Sequence, residues 1–387
     1  MTLPIPETPD AVTSEWLTDA LRVSGVLAAE QRVSKVDRQQ LGEGEGFLGD
    51  ILRLTPTYTT PDPALPSTLI AKLPKLANRA MGELLGAYER ENMFYMELAE
   101  SLPLATPKMY YGDFDRDKAS EKQEQILRAA NRMPRWLNNS MMGLARRIAA
   151  GKKRRYILLL EDIRAEPGDQ LKGASVERTA SVLESIAKAH TMYWNQSLTD
   201  RFWLLPLNID SRIRHSMYRN SQQNFREVFA SVIEAGLGRF ADAVVDQGVA
   251  MMDELCTAPH TLLHCDLRLD NVFFRDEEVV IFDWQLVRRG PVAYDIAYLL
   301  SGALTVDVAL SDLEALLASY HTELERGGVA DYAFERLKRD FALGLHTVLF
   351  SLASIDQVDL GGGRGVELIR SWIQRLHARL EQTHAWL

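Results

Sequence analysis

The sequence predicts an α+β fold of two lobes sharing one cleft, and the order and length of its patterned segments are what predict it. Strand-type patterns cluster in the first 160 residues, whereas helical periodicity dominates from Ser175 onward, interrupted only by a strand-rich segment at 261–283. A chain of 387 residues is long enough for two or three domains, or for two lobes with a sizeable core. The expected division is a smaller lobe, 1–160, with an antiparallel sheet and one long helix, and a larger, mainly helical lobe, 161–387.

Each element has a local reason. Residues 12–30 read as a short helix capped by Thr13 or Ser14, with Glu15 in the first turn and Trp16, Leu17 and Leu21 on one side. Strand-like stretches at 32–37 and 50–58 flank the glycine-rich segment 41–49. After a Pro-rich turn at 61–66, a third strand is expected at 67–73 and a long helix at 81–101. A basic run fills 116–155, and a short buried-type strand, 156–160, ends at Glu161-Asp-Ile.

Composition narrows the function. With 46% hydrophobic and 25% charged residues, the chain is neither disordered nor collagen-like nor a simple coiled coil. A formal charge of −9 argues against a general nucleic-acid binder. Two cysteines supply neither a disulfide framework nor a Cys-x-x-Cys metal site. The segment Met1–Asp10 lacks the basic and apolar regions of a signal peptide, and no apolar run reaches the roughly 18 residues of a membrane span. The expectation is a cytoplasmic enzyme or binding protein.

The chemistry concentrates in Leu263-His-Cys-Asp-Leu-Arg-Leu-Asp-Asn-Val-Phe-Phe274 and Val279-Val-Ile-Phe-Asp-Trp-Gln285. Two apolar strands, 272–275 and 279–282, flank the turn-forming 276–278, so a hairpin is expected. Asn271 and Asp283 each lie six residues from Glu277 and therefore meet at its open end. An amide oxygen and a carboxylate placed there can share a hard cation such as Mg²⁺ with substrate phosphates. Asp266, five residues before Asn271, presents a second carboxylate to the same spot. One carboxylate on the metal and one taking a hydroxyl proton is the minimum equipment for phosphoryl transfer. The layout follows the kinase pattern H-x-D-L-x-x-x-N, with Asp283-Trp-Gln in place of D-F-G.

The N-terminal half supplies the matching parts. Gly42, Gly44, Gly46 and Gly49 lie between two strands, as a loop over phosphates requires; backbone N–H groups must do the binding, because Glu43 and Glu45 would repel the ligand. Lys72 lies on the third strand, sharing a face with Ile70. Its partner is expected on the next helix, where Glu91 sits near the centre of an apolar stripe and Glu89 points away as a solvated surface acid. Glu161 and Ile163, at the end of the strand between the lobes, are expected to offer a carbonyl and an N–H to an adenine ring.

These residues resemble the aminoglycoside phosphotransferase and choline kinase-like superfamily, and within it the ecdysteroid kinase-like proteins and their bacterial relatives. The resemblance runs through Gly-Phe-Leu-Gly at 46–49, Ile-Ala-Lys-Leu-Pro at 70–74, Glu91 with Phe94-Tyr95, and Leu-Leu-Glu-Asp at 159–162. It continues through His190 with Trp194, the loop at 264–271, Gly290-Pro, and Asp295-Ile-Ala-Tyr298. It implies a protein kinase-like bilobal fold and an ATP- and Mg²⁺-dependent kinase. Asp266 would be the catalytic base, Asn271 and Asp283 the metal ligands, and Lys72 the residue on the phosphates. Arg268 would either reach the transferred phosphoryl group or pair with a nearby acid, and Asp295 would accept hydrogen bonds from the catalytic loop. Where these relatives usually carry Gly, this chain has Cys265, which puts the local backbone geometry in question.

Only twelve residues separate Asp283 from Asp295 and no Ala-Pro-Glu triplet follows, so the acceptor is expected to be a small hydroxylated molecule and not a peptide. A sterol-like alcohol or a hydroxyacyl thioester is favoured over an aminoglycoside. The alternative is an inactive, nucleotide-binding pseudokinase. The basic run holds twelve Lys or Arg against Asp117, Glu121 and Glu124, a net of +9 within an otherwise acidic chain. It reads as a solvated insertion, a substrate lid or a helix lying on a membrane surface.

Overall fold

The computed structural model describes residues 3–41, 49–75, 78–118, 120–134, 137, 143, 147–149, 151, 153–352 and 363–387. The smaller lobe is a five-stranded antiparallel sheet in the order β1-β2-β3-β5-β4, with β1 at Val33–Leu41, β2 at Gly49–Tyr58, β3 at Leu69–Pro74, β4 at Met109–Phe114 and β5 at Tyr156–Glu161. The edge strand β4 carries little apolar alternation, and the sequence pattern did not reveal it. Strand β5 shows why a continuous apolar run can be one strand: Ile157 and Leu159 enter one core, Tyr156, Leu158 and Leu160 the other. Helix α1, Ser14–Val23, covers the first core with Trp16, Leu17 and Leu21, and Thr13 caps it by accepting from the Trp16 N–H at 3.2 Å.

The expected helix at 81–101 is two helices, α2 at Arg79–Leu85 and α3 at Ala87–Glu97. Gly86 between them is left-handed at φ 67°, a conformation that ends a helix and that glycine adopts without a Cβ clash. The other face of the sheet rests on α3 through Phe94 and Tyr95.

The larger lobe is helical. After α4 at Gln123–Asn131 come α5 at Val176–Met192, α6 at Ser211–Val228, α7 at Gly238–Leu255, α8 at Ala293–Ala303, α9 at Leu310–Arg326, α10 at Phe334–Leu352 and α11 at Gly363–Thr383. Every residue of α8 is buried, which explains why it is apolar apart from Asp295 and Ser301. It approaches α10 so closely that a Cβ on Gly344 would lie 2.8 Å from the Ala293 carbonyl oxygen. Among these helices lie β6 at Glu166–Pro167, β7 at His260–Leu263, β8 at Val272–Arg275, β9 at Glu278–Ile281 and β10 at Arg288–Pro291. The pair β8 and β9 is the expected hairpin, in register Val272 to Ile281. Among the described residues, no helix is long and apolar enough to cross a membrane.

Candidate active site

Alternation along β3 sends Leu69, Ala71 and Leu73 into the core under α1 and turns Lys72 to the opposite face. There its Nζ lies 2.6 Å from Glu91 Oε1 on α3 and 2.7 Å from Asp283 Oδ1 beyond the hairpin. Burial alone would depress the ammonium, but the two carboxylates outweigh it and hold Lys72 above its ordinary range. Burial pushes Glu91 up, Lys72 pulls it back and Asp283 pushes it up again, for a net rise. For Asp283, burial also raises, but the Lys72 contact wins and the carboxyl is lowered. Of the two acids sharing one ammonium, Asp283 is the more firmly anionic.

The loop between β7 and β8 is tied to α8. Asp295, fully buried, accepts from two successive amides, His264 N–H at 2.6 Å and Cys265 N–H at 2.8 Å. Successive N–H groups converging on one anion form a nest, and Cys265 takes the left-handed conformation at φ 62°. An L side chain there costs about 1–2 kcal/mol, which the two charge-assisted bonds offset. The geometry questioned at Cys265 is thus the one glycine would adopt more easily. His264 reaches across to the carbonyl of Phe282 at 2.9 Å, and the Phe282 N–H donates to the Asn271 carbonyl at 3.1 Å, closing the hairpin mouth.

Asp266 is buried at that mouth. Its Oδ1 accepts from the Tyr298 hydroxyl at 2.9 Å and its Oδ2 from Asn271 Nδ2 at 3.0 Å. Burial raises its pKa and Asp283 adds to the rise, while Arg268 opposes it. Tyr298 is a partner that residue types alone did not identify, although it lies three residues after Asp295 and so on the same helix face. Arg268 pairs with Asp270 at 3.2 Å and stands 3.6 Å from Asp266 Oδ1, the acid-pairing alternative for that residue.

The Asn271 Nδ2 also donates to the Asp266 carbonyl at 2.9 Å, so both its protons face the loop, and its amide oxygen accepts no hydrogen bond from the described residues. Among the described residues, Asp283 Oδ2 accepts only from Gln285 Nε2, at 3.2 Å. An amide oxygen and a carboxylate oxygen at one mouth are a hard donor pair suited to Mg²⁺. Among the described residues, no group of three or more His, Cys, Asp or Glu is placed to hold a metal ion, so water and phosphate oxygens would have to complete the coordination.

At the end of β5, the Glu161 N–H donates to the Lys108 carbonyl at 2.8 Å, and Asp162 forms a two-point ion pair with Arg53 at 2.8 and 3.1 Å. These bonds set the chain's exit toward Ile163. Gly42, Gly44 and Gly46 lie outside the described residues, as does much of the interior of the basic run.

Glu89 is not a solvated surface acid. It is buried, accepting from Arg154 Nη2 at 2.6 Å and Ser120 Oγ at 2.7 Å. Helical periodicity placed it off the apolar stripe, but the end of the basic run folds back over that face of α3. Arg154 and Arg155 are therefore structural: the latter makes a two-point pair with Asp115 at 2.8 and 2.9 Å.

A cavity of about 340 Å³ lies against Asp266. Its walls are mostly apolar: Leu84 and Leu85 of α2, Met217 of α6, Leu352 of α10 and Trp372 of α11. Two acids line it, Asp266 and Asp210, and Asp210 is already held by Arg214 and by both arms of Arg288, at 3.0 to 3.1 Å. A groove of about 580 Å³ runs along the hairpin turn beside Arg178 and Glu277; it includes neither Lys72, Asp266 nor Asp283.

Comparison with known proteins adds three findings. The model of the ecdysteroid kinase-like family matches residues 43–328. Curated proteins yield no significant match. Among solved structures, an ethanolamine kinase of Plasmodium vivax is similar over 98% of this chain and 91% of its own, with 11% identity and a TM-score of 0.53, a likeness of fold. A choline kinase of Cryptosporidium parvum Iowa II matches over 90% and 89% with 9% identity and a TM-score of 0.49. An amicoumacin kinase in complex with AMP-PNP, Ca²⁺ and its ligand matches over 88% of each chain with 11% identity and a TM-score of 0.48.

Proposed function

The chain belongs to the ecdysteroid kinase-like family, and from that premise we propose that it is an ATP- and Mg²⁺-dependent kinase that phosphorylates a hydroxyl group of a small, partly apolar molecule. The observation that carries the reading is the position of Asp266, which lines the apolar cavity and at the same time holds Asn271 beside Asp283 and Lys72. Asp266 takes the proton of the acceptor hydroxyl as that oxygen bonds to the γ-phosphorus and the bond to the β-phosphate oxygen breaks. Lys72, held by Glu91, binds the phosphates. Asn271 and Asp283 would hold Mg²⁺, whose charge, when bound, offsets that developing on the phosphates. The Tyr298 hydroxyl orients the base, and Arg268 stabilises its anionic form.

The glycines at 42, 44 and 46 would cover the phosphates, and the Glu161 carbonyl and Ile163 N–H would receive adenine where the lobes divide, at 160 and 161. A sterol-like alcohol or a hydroxyacyl thioester suits the mostly apolar walls. A polycationic aminoglycoside does not, because the cavity's second carboxylate, Asp210, is already committed to two arginines.

Transfer of label from γ-labelled ATP to a panel of sterols, hydroxyacyl thioesters and amino sugars tests this. Labelling of an apolar alcohol is expected. If every alcohol stays unlabelled while ATP binds with Mg²⁺, the pseudokinase alternative replaces it.

A further inference from the structure

Helix α4 belongs to the basic run that leaves the small sheet after β4 and returns to it at β5; Phe114 and Tyr156, which end and begin those strands, are register partners. Along α4, Gln123, Glu124, Leu127, Ala130 and Asn131 are buried or half-buried, whereas Gln125, Ile126, Arg128 and Ala129 are exposed. That spacing is one stripe of a helix, so α4 has a defined inner face. Its nine residues are too few to hold a helix in water, where about 12–15 are needed, so contacts along that face must hold it.

The contacts come from both lobes. On the small lobe, the Ser120 hydroxyl, just before α4, donates to the buried Glu89 at 2.7 Å, and a Cβ on Gly86 would lie 3.3 Å from Gln123 Nε2. The helix therefore begins against the break between α2 and α3. On the large lobe, Glu124 accepts from Arg289 Nη2 at 2.9 and 3.1 Å, and Asn131 Oδ1 accepts from the Arg212 N–H at 2.8 Å. Arg212 lies in the first turn of α6, where a backbone donor has no partner within its own helix. Leu127 sits between these two anchors, three residues after Glu124 and four before Asn131. It lines the cavity that holds Asp266, together with Leu84 and Leu85 of α2 and Ile213 and Met217 of α6.

We propose that α4 is a wall of the acceptor site and that Leu127 is a specificity-determining residue, limiting the size of the apolar portion that an acceptor can place beside Asp266. The hydrogen bonds of Lys72, Asp266 and Asp283 come from other elements, so this wall changes which acceptor fits and leaves the phosphate side as it is. The proposal rests on the reading of the cavity as the acceptor site.

Calorimetric titration of the full chain with the unbranched primary alcohols from 1-butanol to 1-decanol tests this without requiring turnover. In wild-type protein, affinity should rise about fourfold per added methylene and level off at the length that fills the cavity. Leu127→Ala should move that point to longer alcohols. Leu127→Trp should move it to shorter ones and weaken the longest alcohol that wild type holds by about tenfold or more. Ile126→Trp, at a position 56% exposed, should leave the series unchanged, and ATP affinity should stay constant in all three variants. A series that is the same in wild type and both Leu127 variants overturns the proposal, and label transfer from ATP to an alcohol in that case leaves the kinase reading standing. An equal shift in Ile126→Trp, or ATP affinity lost in step with the alcohols, overturns it as a general effect on folding. Wild-type protein that binds none of the alcohols overturns it together with the reading of the cavity. A shifted series with no label transfer to any acceptor defeats the kinase reading alone.

Discussion

Toward the sheet, the Lys72 ammonium is shared by Glu91 and Asp283 at 2.6 and 2.7 Å. On the cavity side, mostly apolar walls meet Asp210, which is already paired with Arg214 and Arg288. The first region is organised before anything binds, which suits groups that must act on a transition state. The second offers mostly apolar surface with its charges already paired, which suits selection of a ligand by shape and apolar burial. On the proposed reading, catalytic geometry would be carried by paired charges and acceptor choice by apolar walls, on either side of one carboxylate.

The largest effect that would break this contrast is at the boundary itself. Asp266→Ala should lower turnover roughly 100- to 10,000-fold, the usual contribution of a general base, while sparing ATP binding. A base at Asp266 would work only when deprotonated. Because burial raises its pKa, the rate should fall with falling pH from a point above the ordinary aspartate value of about 3.9. Retained turnover in the variant, or an acid limb at or below that value, would sink the assignment.

Next in size is the paired plan where it extends over α3. Arg154→Met removes the cation that Glu89 accepts from at 2.6 Å, and breaking a buried pair costs about 3–5 kcal/mol. Chemical denaturation should show that loss, and a change below about 1 kcal/mol would return Glu89 to the role of a surface acid. Asp283→Ala should weaken Mg²⁺-dependent nucleotide binding about tenfold or more, as read by titration with and without the metal. Unchanged Mg²⁺ dependence would remove Asp283 from the metal. Cys265→Gly should change stability least, within about 1 kcal/mol, because relief of left-handed strain offsets the lost side-chain packing and the greater freedom of the unfolded chain. A loss above about 2 kcal/mol would mean that the thiol packs more tightly than its small volume suggests.

Legibility in the sequence differed between the same two regions. The hairpin at 272–281, the outward face of Lys72 and the placing of Glu91 among apolar neighbours all depend on spacing within one or two elements, and residue order alone makes them legible. The missed features depend on elements meeting. Glu89 looked exposed because its cover, Arg154, arrives 65 residues later. Helical periodicity continues through Gly86, so the break between α2 and α3 left no interruption in the pattern. Arg90 carries no sequence mark of burial, yet it is 2% exposed and donates to the Leu85 carbonyl of α2.

By itself, the sequence determined the class of the fold and the close-range chemistry, since strand alternation, turn residues and a five-residue offset act over distances that the backbone sets directly. Only the tertiary structure decided which charges are paired and which are not. Burial and counter-charge are properties of packing, and the same arginine is a solvated surface group or a costly buried one according to what folds over it.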